Sequence, residues 1–379
     1  MCKLALHGFL AALPKCEHHV HLEGTLSPDL LFALAAKNNI ALPPPSPEAA
    51  ATTSAVNTQD PPDPAFTSPA TLQSRYETFS SLGDFLHYYY IGFRVLLTAS
   101  DFEDLTYTYL ARAATTANLR HAEVFFDPQG HTPRGVPLAH VISGFHAAAA
   151  RAKSDFGISA LLIPCLLRHL PVEDSAACLE EMLSGGWFAS GQLAGLGLCS
   201  TELGKPPGLW KEIFMRAKAH GIRRTAHAGE EGPAGYITSA IAELGAERID
   251  HGVRAQEDEE VMDHLREAGV MLTVCPISNV KLKGVQDIKE VPVRRFLEKG
   301  VRFSLNSDDP AYFRGYVMEN YCAVQEAFGL SVEEWGVIAR NAVEGSWCGE
   351  EKKGEVMAEV EAVVREWEGR GGWNGKLDL

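Results

Sequence analysis

Residues 16–24 read CEHHVHLEG. The first part, CEHHVHL (16–22), has strand character, and it carries three histidines, His18, His19 and His21, in a chain with 14 among its 379 residues. Side chains on a strand alternate with period two, so His19 and His21 are expected on one side and His18 on the other. Two imidazoles on one face can share a metal ion. They can also be a hydrogen-bonded core pair, and this stretch alone leaves both readings open.

Working outward, comparable runs recur along the chain: HAEVFFDP (121–128), ALLIPCLL (160–167), LAGLGLC (193–199), RRTAHAG (223–229), ERIDHG (247–252), VMLTVCP (270–276) and VRFSLNSDD (301–309). Helical stretches lie between them, among them LAHVISGFHAAAARAKSDFG, DEEVMDHLREAG and VPVRRFLEKG. The last two end on glycine, where a helix C-cap belongs. Eight strands alternating with helices predict a parallel α/β sheet, and eight is the number that closes a (β/α)8 TIM barrel. A doubly wound open sheet fits the same alternation, but no G-x-G-x-x-G or G-x-x-x-x-G-K-[ST] follows a strand to support a nucleotide fold. The expectation is one barrel domain over residues 1–379. One segment stands apart, residues 43–73, rich in Pro, Ala, Ser and Thr. It is expected to be a mobile low-complexity insertion at the surface.

Composition narrows the partners. The formal charge is −15 (34 Lys and Arg against 49 Asp and Glu), which disfavours nucleic acid and acidic membranes. The eight cysteines are scattered with no C-x-x-C pair. There is no basic-then-apolar leader and no run of 18 apolar residues. A reduced, disulfide-free protein of the cytoplasm, with the nucleus also open to it, is expected.

Ionisable residues collect at the C-terminal ends of the strands, where a barrel builds its active site. His19 and His21 end the first strand and His227 the fifth, followed by Glu230; Asp250 and His251 end the sixth, and Asn306-Ser307-Asp308-Asp309 the eighth. Polar groups buried in apolar strands need partners. Three histidines and one aspartate make a plausible N3O set for Zn2+ with a position left for water. Glu230 can move a proton, and His251 can hold the attacking water and take its proton. Glu231 is better read as a cap for the next helix. Asp308 and Asp309 are adjacent and so point differently, one to metal and one to substrate, although Asp-Asp-Pro is also a good helix start. There is no G-x-S-x-G elbow, no H-E-x-x-H and no H-x-E…P-C-x-x-C.

In order, LPKCEHHVHLEGTL, HAGEEGP, RIDHG, CPISNVKL and LNSDDPAYF resemble the motifs of the adenosine and adenine deaminase family of metal-dependent (β/α)8 hydrolases. The resemblance runs from about Leu13 to Trp347. DFLHYYYIGFRVL, HAEVFFDPQGHTPRG, CLLRH and NAVEGSWC are most similar to the adenine-specific fungal branch, as is Glu23, where the adenosine branch carries the shorter Asp for ribose. The resemblance implies one Zn2+ on His19, His21, His227 and Asp308, Glu230 as proton donor, His251 assisting the water, and Asp309 contacting the purine. It implies hydrolytic deamination of adenine to hypoxanthine and ammonia in purine salvage. Adenosine deamination, or that of another purine, is the alternative. A non-catalytic zinc scaffold would not need Glu230 and His251. A two-metal hydrolase would carry a bridging Lys on strand four, where LAGLGLCS has none. In one departure, the strand-four motif usually reads G-L-D-S but is Gly197-Leu198-Cys199-Ser200 here.

Overall fold

A computed structural model of the chain describes residues 6–46 and 60–370. Its eight strands are β1 (Lys15–His21), β2 (Leu119–Phe126), β3 (Ser159–Leu167), β4 (Gly195–Cys199), β5 (Arg223–Ala228), β6 (Arg248–His251), β7 (Met271–Val274) and β8 (Phe303–Leu305). They lie in sequence order, every neighbouring pair parallel. The seam between β8 and β1 is closed by a short bridge: Asp308 N–H donates to His19 O (3.0 Å) and His21 N–H to Asp308 O (2.9 Å). Helices follow the strands, so the expected (β/α)8 barrel is the fold.

The expected helices fall where their patterns place them. Leu138–Phe156 stops at Gly157, Glu259–Ala268 at Gly269 and Val293–Lys299 at Gly300. Each of these glycines is left-handed, a conformation that costs glycine no Cβ clash. Among the described residues no helix is long and apolar enough to cross a membrane.

Two expectations need correction. Simple alternation fails in β1. Glu17 pairs with Ala122 and Val20 with Val124, so His18 and His19 together stand opposite Glu123 in a bulge. His18 therefore does not face away from the barrel interior. It lies lower along the axis, its ring bonded to the hydroxyls of Ser304 (3.0 Å) and Ser346 (2.7 Å). Beneath it the barrel floor is filled by the buried ion pair of Glu123 with Arg248 (2.5 Å) and by Trp347, whose ring lies 4.2 Å from the Arg248 guanidinium.

The second correction concerns the insertion. Residues 47–59 of the expected mobile segment lie outside the described residues, but 60–73 are built into the fold. Asp63 caps a short 3-10 turn (Pro64–Thr67), and Ser68 with Thr71 forms a capping box on the helix Pro69–Tyr76. Phe66 and Leu72 join the core. Tyr76 stacks on Tyr312 with ring centroids 4.6 Å apart, which ties this segment to the loop after β8.

Candidate metal centre and substrate pocket

The C-terminal ends of the strands open into a pocket of about 420 Å³ including its mouth. One wall is the helix Leu82–Phe93, which lays Leu82, Phe85, Leu86, Tyr89 and Tyr90 over the barrel. The opposite wall carries His21, His227, Glu230, His251, Asp308 and Asp309. Residues from β1, β5, β6 and the turn after β8, nearly 300 positions apart in sequence, thus meet in one place.

Asp308 divides this wall. Its Oδ1 lies 3.2 Å from His19 Nε2 and 3.5 Å from His21 Nε2. Its Oδ2 accepts from Ser278 Oγ at 2.5 Å and lies 3.9 Å from His251 Nε2. His21 Nε2 is in turn 3.3 Å from His227 Nε2. The outer nitrogens are held from behind. His19 Nδ1 meets Thr273 Oγ1 (2.9 Å) and His227 Nδ1 faces Asp250 Oδ2 (3.3 Å). Asp250 Oδ1 accepts from Thr225 Oγ1 (2.8 Å) and Thr273 Oγ1 (3.0 Å), which joins the two supports.

The donors suit a cation. His19 Nε2 is buried without a hydrogen-bond partner, and two imidazole nitrogens face each other across 3.3 Å. Burial pushes His21 down to about 3 and also lowers His227, so both are neutral imidazoles, the form that binds metal. Asp308 is held well below the usual carboxylate range; burial acts the other way and is outweighed, first of all by His19 beside it.

A tighter grouping of donor atoms, all within 4.8 Å of one another, is His19, His227, His251 and Asp308. His251 differs from His19 and His21 in its contacts, because it addresses the other oxygen of Asp308 and lies 3.4 Å from Glu230 Oε2. Its Nδ1 is 3.3 Å from the Asn279 amide.

Glu230 and Asp309 are acids in the wrong medium for a charge. Burial, followed by repulsion from Asp308 and then Glu202, raises Glu230 well above the carboxylate range. Burial and Asp308 do the same for Asp309. A carboxyl kept protonated near neutral pH is a proton donor. Asp309 starts the helix Pro310–Phe313 but makes no side-chain cap bond, and its Oδ1 has no partner. Gly24 makes room for it, since a Cβ there would lie 2.1 Å from Asp309 Oδ1. Glu231 does not cap the following helix as expected; its Oε2 instead accepts the Glu202 N–H (3.2 Å).

Glu23, just after β1, is buried beside the pocket-lining Asp127. Its Oε1 accepts from His131 Nε2 (2.6 Å) and from Asp127 N–H (3.2 Å), and Phe93 stacks on His131 at 4.7 Å. Cys199, the departure in strand four, lines the pocket and donates its thiol to Asp127 Oδ1 (3.6 Å). Thr273 and Glu202 lie outside the motifs quoted above, while Asp127, His131 and Ser278 lie inside HAEVFFDPQGHTPRG and CPISNVKL without a role read for them. Asp250 was visible as a polar residue in an apolar strand, without a role.

The chain is similar to known proteins over nearly its whole length. The family model described as adenosine deaminase matches residues 14–363. The chain is 50% identical to adenine deaminase of Aspergillus oryzae, covering 96% of this chain and 98% of that one. It is 50% identical to adenine deaminase of Schizosaccharomyces pombe, over 97% and 95%. The crystal structure of adenine deaminase from Arthrobacter aurescens superposes with a TM-score of 0.83 at 40% identity, over 93% of this chain and 99% of that one. An amidohydrolase from Burkhoderia ambifaria, with bound Zn, superposes with a TM-score of 0.76 at 25% identity, over 97% and 95%.

Proposed function

The chain belongs to the adenosine deaminase family, and from that premise we propose that one Zn2+ on His19, His21, His227 and Asp308 serves the reaction at the pocket described above. The chain is an enzyme that deaminates adenine, adding water at C6 and releasing ammonia and hypoxanthine. Purine salvage in the cytoplasm, and in the nucleus, is the setting that suits this chemistry and the cysteines of the described residues, which form no disulfides with one another.

The observation that carries the site assignment is the double use of Asp308. Its Oδ1 faces His19 and His21, while its Oδ2 faces His251, which in turn touches Glu230. When bound, the metal supplies a lowered pKa for a water, toward about 7. The chain's residues do the rest. His251, kept neutral by burial, accepts a proton from the attacking water. Glu230, kept protonated by burial, donates to ring N1 and so makes C6 electrophilic. Asp309 addresses N7 with an oxygen that has no protein partner. Glu23, held by His131 beside Asp127, is the residue we assign to the exclusion of a ribose.

The test is a substrate panel with metal analysis on the purified protein. About one zinc per chain is expected, with adenine turned over much faster than adenosine, read as loss of the purine absorbance. Equal or faster turnover of adenosine would overturn the substrate assignment. A chain that binds no metal would overturn the ligand set.

A further inference from the structure

The carboxylate of Glu202 has no part in the reaction as described, yet it is wholly buried on the loop after β4. Its Oε2 accepts the N–H of Gly229 (3.0 Å), and its Oε1 accepts the N–H groups of Glu230 (2.8 Å) and Glu231 (3.2 Å). Three successive amides converge because Gly229 is left-handed at φ 72°, which forms a backbone nest for an anion. Here the anion comes from the chain itself. The grip is returned, since Glu202 N–H donates to Glu231 Oε2.

Two neighbours are shaped around it. A Cβ at Gly232 would lie 2.5 Å from Glu202 Oε2 and 2.5 Å from the Tyr236 ring, so glycine there leaves space for both. The wholly buried Arg168 donates from Nη2 to His227 O (2.6 Å), at the other end of the same turn. Glu202 is the foremost of the anions that offset the burial of this guanidinium.

We propose that Glu202 is the positioning residue of the proton donor: it fixes the Gly229–Glu231 backbone so that the Glu230 carboxyl stays beside His251 and over the pocket. The inference rests on the assignment of Glu230 as donor. A carboxylate clasped by three amides in a buried site holds a turn more tightly than a loop held by water. Donor placement matters because a shift of an ångström costs a large factor in rate.

The test is Glu202→Gln in the zinc-loaded enzyme, with adenine as substrate. The amide cannot accept from all three N–H groups, since one end now donates. Zinc content should hold and KM should change little, while kcat falls roughly 10- to 100-fold. The groups that face Glu230 are Asp308, Glu231, Arg168, His251 and Glu202 itself. With one anionic neighbour gone, the descending alkaline limb of the kcat profile should move to lower pH. Amide hydrogen exchange across 229–231, measured without substrate, should quicken. Unchanged kcat with an unmoved limb would overturn the inference. So would a loss of activity that only follows lost zinc or lost folded protein, with exchange at 229–231 unaltered. If Glu202→Gln does not fold, Gly232→Ala crowds the carboxylate while keeping it. It should show the same drop in kcat and the same faster exchange, and finding neither would overturn the inference. Wild-type turnover of adenine in the same assay tests the donor's reaction separately, and the exchange readout does not depend on it.

Discussion

Asp250 stands behind His227, its Oδ2 3.3 Å from the ring Nδ1, so the nitrogen that faces the pocket is Nε2. The same carboxylate takes the hydroxyl of Thr273, which meets His19 Nδ1. Two proposed ligands from β1 and β5 therefore share one support on β6 and β7. Replacing Asp250 by Asn would free the His227 ring to turn and change its tautomer. The expected result is a 10- to 100-fold weaker metal affinity, roughly, measured by competition with a chromophoric chelator. Affinity within twofold of wild type would remove Asp250 from this role.

Glu230→Gln should keep its bound metal and lose activity by roughly 10²-fold or more. The pH profile gives the sign. Glu230 is raised above the ordinary carboxylate value, mainly by burial, and in the proposed role works as the protonated acid. Activity should therefore be full at pH values below its raised pKa and fall as pH rises through it. Steady-state rates across pH on the wild type and the variant should show this limb in the first alone. A fully active variant would move the donor role elsewhere.

Glu23 reaches His131 only because its side chain is one methylene longer than aspartate. Glu23→Asp would withdraw the carboxylate from His131 Nε2 and open space on that side. The ratio of kcat/KM for adenine over adenosine should fall about tenfold, within the range that single pocket contacts discriminate. An unchanged ratio would place the exclusion of ribose on other residues.

The segment before the helix Pro69–Tyr76 is part of the core. Phe66 is 4% exposed and stacks on Tyr88 with planes 12° apart. Phe66→Ala should lower unfolding free energy by about 3–5 kcal/mol, seen as an earlier urea midpoint. A surface appendage would give a change within about 0.5 kcal/mol.

Much of the site was legible because it obeys short-range rules. His19 and His21 are two apart and meet, and His227, Asp308, Glu230 and His251 sit at strand ends as a barrel requires. What was misread obeys longer rules. The bulge at His18 and His19 follows from pairing with β2, about a hundred residues away, so alternation placed His18 on the wrong side. The clasp of Glu202 on the β5 turn and of His131 on Glu23 are tertiary contacts between loops, with no periodicity to announce them. The Pro- and Ala-rich composition of 43–73 hid Phe66 and Leu72, two large apolar side chains in a weak background.

The seam of the barrel is made by Asp308 itself, whose backbone bonds to His19 and His21 while its side chain addresses the same two rings. With Asp308 as the proposed ligand, occupancy of the centre and closure of the cylinder would be linked equilibria. An ion that binds only the closed form adds about 2.7 kcal/mol of stability at a free concentration 100 times its Kd. The melting temperature of this protein then becomes a gauge of free metal, falling under chelation and climbing again as metal is restored.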